Sequence, residues 1–265
     1  MFWFSGICND TSNKKTIEYI QMYFVALVTA KKTNPKLRPV LIVDGVIDEN
    51  IKKIERSGAL IIQHQFPLIE DIKKASNNNG TLTAARGAFL RIDICKICEQ
   101  IGIMDDFCFY TDNDVMFLGD ISSIFDYKPN FFLVAGEFDK TFDANISNFN
   151  SGVMFINKKT MQNTYNDFLI FTKENIHNSM SKGFDQFCFR SFYAGNAELL
   201  HYLYNYKPYW GNEDNIKIIH FHGIKPFDSD ADILSMQPVI RNLATPFFYE
   251  MRFLFFENLK LWKDA

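Results

Sequence analysis

The sequence lacks several features that would assign it to common classes of protein. No apolar run is long enough to cross a membrane, and the opening residues MFWFSGICND have no basic stretch of the kind that begins a signal peptide. The net charge is only −3 and no long basic stripe is present, so the charge does not favour nucleic acid as a partner. We therefore expect a cytoplasmic protein that does not bind nucleic acid.

Cysteine is scarce, and its spacing does not indicate a metal array. The chain has 5 cysteines, of which Cys95 and Cys98 are spaced C-x-x-C. No second Cys or His pair lies at the spacing of a zinc site. The two thiols fall in FLRIDICKICEQI, which is predicted to be an amphipathic helix with both on one face. Ordinary half-buried thiols in a reducing compartment are expected.

Linkers and repeats are also missing, and 265 residues fit one large domain better than two small ones. In the first half, strands are predicted for FWFSGIC, RPVLIVDG, ALIIQHQF and FCFYTD. Helices are predicted for TIEYIQMYFVALVTAKK, for residues 48–57 and for AARGAFLRIDICKICEQIG. This alternation predicts βαβ units and a largely parallel sheet, so the fold class is α/β.

The second half has a different pattern. Strands are predicted for NFFLVAGEF, FNSGVMFIN and NIKIIHFHG, and only a loop joins the first two, so their pairing is antiparallel or mixed. Helices are predicted for TMQNTYNDFLIFTKEN, GFDQFCFRSFYAG and the tail ATPFFYEMRFLFFENLKLWKDA.

The segment FCFYTDNDVMFLGDI places carboxylates in an apolar run, where an unpaired charge is costly to bury. Asp112 and Asp114 end a predicted strand, and side chains two residues apart in an extended segment point to the same side. Two carboxylates so close repel each other unless a cation lies between them, and oxygen ligands suit Mg²⁺ or Mn²⁺. The alternative is a turn with two solvated aspartates. Asp120 is predicted to cap a helix.

Other polar residues follow or begin predicted strands, and ligands of such sheets bind beyond the carboxyl ends of the strands. Asn9 and Asp10 follow the first strand and Asp44 follows the second. Asn150 and Ser151 begin FNSGVMFIN and could bind sugar hydroxyls, although a plain turn explains them equally well.

The segment HFHGIKPF has two histidines two residues apart, and either His220 or His222 could be a third metal ligand. Gly223 and Lys225 have the properties of phosphate-binding residues, because one exposes its backbone N–H and the other supplies a point charge. A hydrogen-bonded histidine pair with a solvated lysine is the alternative.

Two more pairs have both a structural and a functional interpretation. Asp185 and Gln186 begin a predicted helix, where Asp185 could cap the helix or both residues could contact a sugar. Arg86 and Arg91 precede the fourth strand and could face a diphosphate or lie on the surface.

These motifs, taken in their order along the chain, resemble those of the GT-A glycosyltransferases. The order is D-x-D, then F-N-S-G-V-x-x-I-N, then D-Q, then H-F-x-G-x-K-P. The closest likeness is to retaining family 8, which includes glycogenin and bacterial lipooligosaccharide galactosyltransferases, and it extends over residues 2–227. The resemblance implies a GT-A fold with a Rossmann-like mixed sheet flanked by helices. It also implies a catalytic domain of residues 1–230 and a helical C-terminal extension, 231–265, packed on the same domain.

The resemblance further implies a reaction and a cofactor. A hexose would pass from a nucleotide-diphosphate sugar, usually a UDP-sugar, to a hydroxyl of a glycan, protein or lipid-linked acceptor, with retention and with Mn²⁺ or Mg²⁺. The implied metal ligands are Asp112, Asp114 and His220. The implied donor-binding residues are Asn9, Asp10, Arg91, Asp112, Asn113, Asn150, Ser151, Gly223 and Lys225. Asp185 and Gln186 would stabilise the cationic sugar, neither of them as a nucleophile.

Alternatives remain, because the final motif is one residue shorter than usual between Gly223 and Lys225 and has Phe227 in place of Trp. His222 could replace His220, and Arg86 could replace Arg91. An inverting enzyme would use a carboxylate, such as Asp185, as general base. A nucleotidyltransferase is disfavoured by the lack of a Gly-rich basic loop after the first strand, and a non-catalytic sugar-nucleotide-binding protein by the intact acids.

The tail TPFFYEMRFLFFENLKLWK lies outside the resemblance and is rich in aromatic residues. A helix packed on the core explains it most simply. A homodimer surface or a peripheral membrane contact near a lipid-linked acceptor is the alternative.

Overall fold

Strands and helices alternate along the chain as predicted. The computed structural model describes residues 1–10, 13, 15–76, 78–140 and 148–265. The strands are β1 (Phe2–Asn9), β2 (Arg38–Gly45), β3 (Leu60–Gln63), β4 (Phe107–Thr111), β5 (Val115–Phe117), β6 (Phe132–Gly136), β7 (Phe149–Asn157), β8 (Ala197–Leu199) and β9 (Ile218–His220). The helices are α1 (Thr16–Thr33), α2 (Glu49–Arg56), α3 (Ile69–Ala75), α4 (Asn79–Phe89), α5 (Ile94–Gln100), α6 (Lys158–Glu174), α7 (Ile176–Ser181), α8 (Asp185–Phe192), α9 (Asp230–Ser235), α10 (Pro238–Arg241) and α11 (Pro246–Leu259).

The central sheet is mixed. Its strand order is β3-β2-β1-β4-β7-β6-β8. The pairs that involve β1, β2, β3 and β4 among themselves are parallel, whereas β7 is antiparallel to both of its neighbours, β4 and β6. β8 pairs in parallel with β6, and β5 pairs with β9 in a separate antiparallel ribbon. A mixed sheet flanked by helices confirms the predicted fold class.

Both faces of the sheet are covered, which explains its long apolar strands. Phe4 and Tyr110 belong to an apolar cluster with residues of α4, α5, α6 and α8. Their neighbours Trp3 and Phe109 point to the opposite face and pack with residues of α1 and α2. Adjacent strand residues therefore pack against helices on opposite sides of the sheet. The polar residues at the strand ends lie at the edge of the sheet, outside both apolar clusters.

One predicted helix is two helices in the structure. A 3₁₀ turn of residues 90–93 separates α4 from α5. The turn brings two buried charged side chains to polar partners that are distant in sequence. Arg91 faces Asp112, and Asp93 accepts a hydrogen bond of 2.7 Å from the Tyr165 hydroxyl. The apolar pattern predicts one continuous helix here. The hydrogen bonds and ion pair of these two side chains compensate for the break in that helix.

One face of the C-terminal helix packs on the core, and the other is exposed to solvent. Phe247, Phe248 and Phe255 of α11 are buried in a cluster that also contains Met22 of α1, whereas Phe253 is 68% exposed. No helix in the described ranges is long and apolar enough to span a bilayer. The division at residues 230 and 231, and a dimer or membrane role for this surface, stay predictions.

Candidate active site

A cleft of about 420 Å³ opens at the edge of the sheet where β1 and β4 end. Because β7 is antiparallel to β4, its amino end lies at the same edge as the carboxyl end of β4. This arrangement brings the D-x-D and F-N-S-G segments together. The predicted residues that line the cleft are Arg91, Asp112, Asn113, Asp114, Asn150, Ser151, Asp185, Gln186, Gly223 and Lys225.

Two aspartates and a histidine converge beside this cleft. One ligand atom from each of Asp112, Asp114 and His220 lies within 4.8 Å of the other two. Nε2 of His220 is 3.3 Å from Oδ1 of Asp114 and 3.8 Å from Oδ2 of Asp112. Pairing of β5 with β9 sets His220 opposite Val115, directly after the second aspartate. Carboxylate oxygen and imidazole nitrogen form a donor set that suits Mn²⁺ and also accepts Mg²⁺.

Gly152 leaves space between these groups. A Cβ at this position would lie 2.2 Å from Cε1 of His220, 2.7 Å from Oδ2 of Asp112 and 2.8 Å from Oδ1 of Asn150. Any side chain here would therefore enter the space enclosed by the aspartate and the histidine. The residues present fit a small cation by both donor type and space.

Arg91 connects the two halves of the cleft. Its Nη2 lies 2.7 Å from Oδ1 of Asp112 and its Nε lies 2.8 Å from Oδ2 of Asp185, and Nη1 donates to the Ser151 carbonyl. The guanidinium also stacks over the Tyr110 ring, with 4.5 Å to the ring centre. Burial lowers the pKa of Arg91, but the two carboxylates raise it more, so the side chain stays charged.

Lys225 pairs with the second aspartate of the D-x-D segment. Its ammonium donates to Oδ2 of Asp114 and to the Phe221 carbonyl, the latter at 3.0 Å. Burial raises the pKa of Asp114, but Lys225 and His220 together outweigh burial and hold that pKa well below its ordinary value. Asp114 therefore stays ionised although it is only 6% exposed to solvent.

Asp185 does not cap α8. It occupies the first helical position, and Phe184 before it has a positive φ of 57°. The carboxylate is 2% exposed and accepts from Ser151 Oγ at 3.3 Å as well as from Arg91. Burial raises the pKa of Asp185 to about 7, although Arg91 opposes the rise. The capping interpretation is wrong, because Asp185 lies after the N-cap position and its carboxylate contacts Arg91 and Ser151.

Gln186 is held at both ends of its amide. Its Oε1 accepts the backbone N–H of Ser151 at 3.0 Å and Nδ2 of Asn150 at 3.1 Å. Its Nε2 donates to Oε1 of Glu137 at 2.9 Å. A backbone donor therefore fixes which end of Gln186 faces which neighbour.

Comparison with known proteins identifies the fold. No protein-family model matches the sequence, and a search of curated proteins finds no relative. Among solved structures, the galactosyltransferase LgtC, in complex with donor and acceptor sugar analogues, is 14% identical with a TM-score of 0.65, over 95% of this chain and 100% of that one. The glycosyltransferase GlyE of Streptococcus pneumoniae TIGR4 is 16% identical with a TM-score of 0.61, over 99% and 63%. Mouse xyloside xylosyltransferase 1 is 16% identical with a TM-score of 0.56, over 83% and 96%.

The chain has the GT-A glycosyltransferase fold. The resemblance predicted from the sequence is thereby confirmed at the level of the fold. Roles of individual residues in this GT-A cleft remain proposals.

Sequence reasoning missed Glu137, which follows β6 and lines the GT-A cleft. Its carboxylate accepts from Arg190 at 2.6 Å and from Gln186, and lies 3.5 Å from Nε2 of His222. Burial opposes ionisation, but these partners lower the pKa of Glu137 to about 2. The residue could have been found, because it ends a predicted strand at the ligand-binding edge.

His222 and His220 have different surroundings. His222 lines the cleft, and its Nδ1 lies 3.0 Å from the Tyr209 hydroxyl. Burial lowers the pKa of His222 to about 4. Only His220 of the two belongs to the cluster with Asp112 and Asp114 within the described ranges, which favours it over the alternative.

Two of the predicted donor residues lie outside the cleft, as does the reserve arginine. Nδ2 of Asn9 donates to the Val46 carbonyl at 2.6 Å, and Asn9 lines a separate depression of about 220 Å³. Neither Asn9 nor Asp10 lines the main cleft. Arg86 is paired with Asp44 at 2.7 Å, so Arg91 is the arginine that faces the cleft.

Proposed function

We propose that this protein is a metal-dependent glycosyltransferase that moves a hexose from a UDP-sugar to a hydroxyl of a glycan, protein or lipid-linked acceptor, with retention. The observation that carries the proposal is the convergence of Asp112, Asp114 and His220 beside Lys225, in a cleft of a GT-A fold. The described solved structures of similar fold are glycosyltransferases.

The charged residues would bind the donor diphosphate. Asp112, Asp114 and His220 would hold Mn²⁺ or Mg²⁺, which when bound neutralises charge that develops on a departing phosphate. Lys225 would exchange Asp114 for a phosphate oxygen, and the backbone N–H of Gly223 would add a second donor. Both residues line the cleft, which supports this role.

The sugar and nucleoside would use the remaining polar groups. Asn150, Ser151 and Asp185 line one side of the cleft and would contact the donor sugar. Asn113 donates from Nδ2 to the Gly6 carbonyl at 2.8 Å, while its buried Oδ1 has no partner among the described residues. This orphan acceptor suits a donor hydroxyl. Asn9 and Asp10 would require a nucleoside that reaches past the main cleft.

The contacts of the two residues that would lie nearest the sugar argue against a covalent glycosyl-enzyme intermediate. Gln186 is an amide held by Ser151 and Glu137, and Asp185 is engaged by Arg91 and Ser151. Neither is free to attack the anomeric carbon. The acceptor oxygen would form its bond to that carbon on the face from which the diphosphate oxygen departs. The acceptor proton would then pass to the departing oxygen, and Asp185 would stabilise the cationic sugar.

An inverting reaction is the second candidate, because the pKa of about 7 for Asp185 suits a general base. The burial of Asp185 and its ion pair with Arg91 disfavour that role. The anomeric configuration of the product, read by proton NMR, decides between the two.

The test is a panel of nucleotide-sugars with and without Mn²⁺. A cognate donor should raise the midpoint of thermal unfolding and release its nucleotide, and a chelator should stop the release. Asp114→Asn should abolish turnover, whereas Asp167→Asn, a change at an exposed position of α6, should not.

Three results would contradict the proposal. If no nucleotide-sugar binds or turns over with Mn²⁺ present, the protein is not a glycosyltransferase of this kind. Pyrophosphate release from a nucleoside triphosphate would indicate a nucleotidyltransferase. Metal-dependent UDP binding without turnover across the sugar panel would indicate a non-catalytic binding protein.

A further inference from the structure

Asn205 lies outside the cleft lining but is bonded to two residues of the candidate site. It ends the 3₁₀ turn of residues 202–205 and is fully buried. Its Oδ1 lies 2.9 Å from Nδ1 of His220, and its Nδ2 lies 3.0 Å from Oδ1 of Asn150. The sequence HYLYNYKPYW around it has no motif that indicates a site.

The orientation of the Asn205 amide follows from a backbone donor. The N–H of Gly152 donates to Oδ1 of Asn150 at 3.1 Å, and a backbone N–H can only donate. The oxygen of Asn150 is therefore at this end, and the group of Asn205 that faces it must be the Nδ2 donor. Oδ1 of Asn205 then faces His220.

A second backbone donor gives the same answer independently. The N–H of Ser151 donates to Oε1 of Gln186 at 3.0 Å, so the oxygen of Gln186 faces Asn150. The partner of that oxygen on Asn150 lies at 3.1 Å and must be Nδ2. Both ends of the Asn150 amide are thus assigned consistently.

The assignment fixes the tautomer of the histidine. Because Oδ1 of Asn205 is an acceptor, Nδ1 of His220 carries a proton. In the neutral ring Nε2 then has a free lone pair, directed at the space shared with Asp114 and Asp112. The opposite tautomer would aim an N–H at that space and could not bind a cation.

The main chain of Asn205 is also fixed. Its carbonyl accepts from the buried Nζ of Lys207 at 2.8 Å. The next residue, Tyr206, donates its N–H to Ile218 at 2.9 Å and accepts the N–H of His220 at 2.8 Å. These bonds set the segment of Asn205 beside β9, so its side chain and the imidazole are held in one register.

We propose that Asn205 is a positioning residue that holds His220 in the Nδ1–H tautomer and so presents Nε2 to a divalent cation. This role rests on the proposed metal-dependent function. Partners of this kind typically contribute about 10- to 100-fold to metal affinity. A near-isosteric Asn205→Leu change should weaken Mn²⁺ binding by about that factor. Asn205→Asp keeps an oxygen acceptor for Nδ1–H and should bind Mn²⁺ more tightly than Asn205→Leu.

The first measurement reads the tautomer of His220 by nitrogen NMR. The chain has 5 histidines, so ¹⁵N-labelled histidine gives few signals, and His220→Gln identifies the one of interest. At about pH 8, metal-free wild-type protein should show His220 with a protonated Nδ1 and an unprotonated Nε2. In Asn205→Leu this preference should be lost, and in Asn205→Asp it should persist.

The second measurement is Mn²⁺ affinity by titration calorimetry and electron paramagnetic resonance. Thr164→Val is the control, because it removes the hydrogen bond of 2.8 Å between Thr164 and Tyr193, away from the cleft. A wild-type protein that does not bind Mn²⁺ would refute the proposed metal site itself. Wild-type binding together with an Nε2–H ring, or with undiminished affinity in Asn205→Leu, would refute only the role of Asn205. If Asn205→Leu fails to fold, the wild-type tautomer decides.

Discussion

Replacing Gly152 by alanine tests whether the space between His220 and Asp112 holds a cation. The added Cβ would lie 2.2 Å from Cε1 of His220 and 2.7 Å from Oδ2 of Asp112. Ordinary carbon–carbon contacts are about 3.5 to 4.0 Å, so the imidazole would have to move by more than about 1 Å. Overpacking of this kind costs about 1–3 kcal/mol. The φ of Gly152 is not positive, so the main chain itself accepts alanine.

The expected result is a folded protein that has lost its cation. The methyl group fills the shared space and displaces the ring that would supply nitrogen. Mn²⁺ affinity should fall by at least about 100-fold, which corresponds to about 2.7 kcal/mol, and nucleotide release should fall with it. Urea unfolding should register a loss of about 1–3 kcal/mol in stability. Calorimetric Mn²⁺ titration and released UDP are the two assays.

Gly80→Ala is the matched control for this substitution. Gly80 lies in α4, and a Cβ there would meet only Oδ1 of Asn78, at 3.4 Å. Alanine in a helix should be neutral or stabilise the fold by up to about 1 kcal/mol, with metal affinity unchanged. The reasoning is refuted if Gly152→Ala binds Mn²⁺ and transfers sugar as wild type does, because the space beside His220 is then not where the cation lies.

Two further predictions concern the buried charges. Arg91→Leu leaves Asp185 and Asp112 without their cation, so stability at neutral pH should fall by about 3–5 kcal/mol. The pKa of Asp185 should then rise further, so urea unfolding should register a smaller loss at about pH 5, where a proton replaces the cation, and an equal loss at both pH values would contradict this account. Glu137→Gln should cost about 3 kcal/mol at pH 7, because the pKa of Glu137 falls from 4.5 to about 2 on folding. A carboxyl whose pKa is lowered by folding stabilises the protein at pH values above its unfolded-state pKa. The difference in stability between Glu137→Gln and wild type should therefore shrink as the pH falls from about 5 toward 2. A difference that is constant over this range would refute the account.

The fold could be predicted well in the first half because the information there is local. Each of the first four strands is a short apolar run, and the segment between the first two is apolar and, at 18 residues, too long for a strand. The D-x-D segment could be located for the same reason, although Asp112, Asn113 and Asp114 lie in the bend between β4 and β5 and not on a strand. The three-residue strands β5 and β8 were missed because so short a segment has no measurable period, whereas the equally short β9 lies within the longer apolar segment NIKIIHFHG.

The break between α4 and α5 could not be predicted from the apolar pattern, which continues through it. The turn depends on Arg91 and Asp93 finding partners at Asp112 and Tyr165, which are distant in sequence. The role of Asp185 likewise depends on a partner that is distant in sequence. A carboxylate at the start of a helix suggests a cap, and only its contact with Arg91 gives it another role.

The two aspartates of the D-x-D segment differ in a way that their spacing could not indicate. Asp112 pairs with Arg91, whereas Asp114 pairs with Lys225, and their side chains are 28% and 9% exposed. With Asp185 ionised, three carboxylates face two cations, which leaves one negative charge. A divalent cation would reverse that sign, and the diphosphate of a nucleotide-sugar, with two negative charges, would restore it. The net charge of these groups therefore stays within one unit of zero as each occupant would bind, which limits the cost of placing two carboxylates so close together.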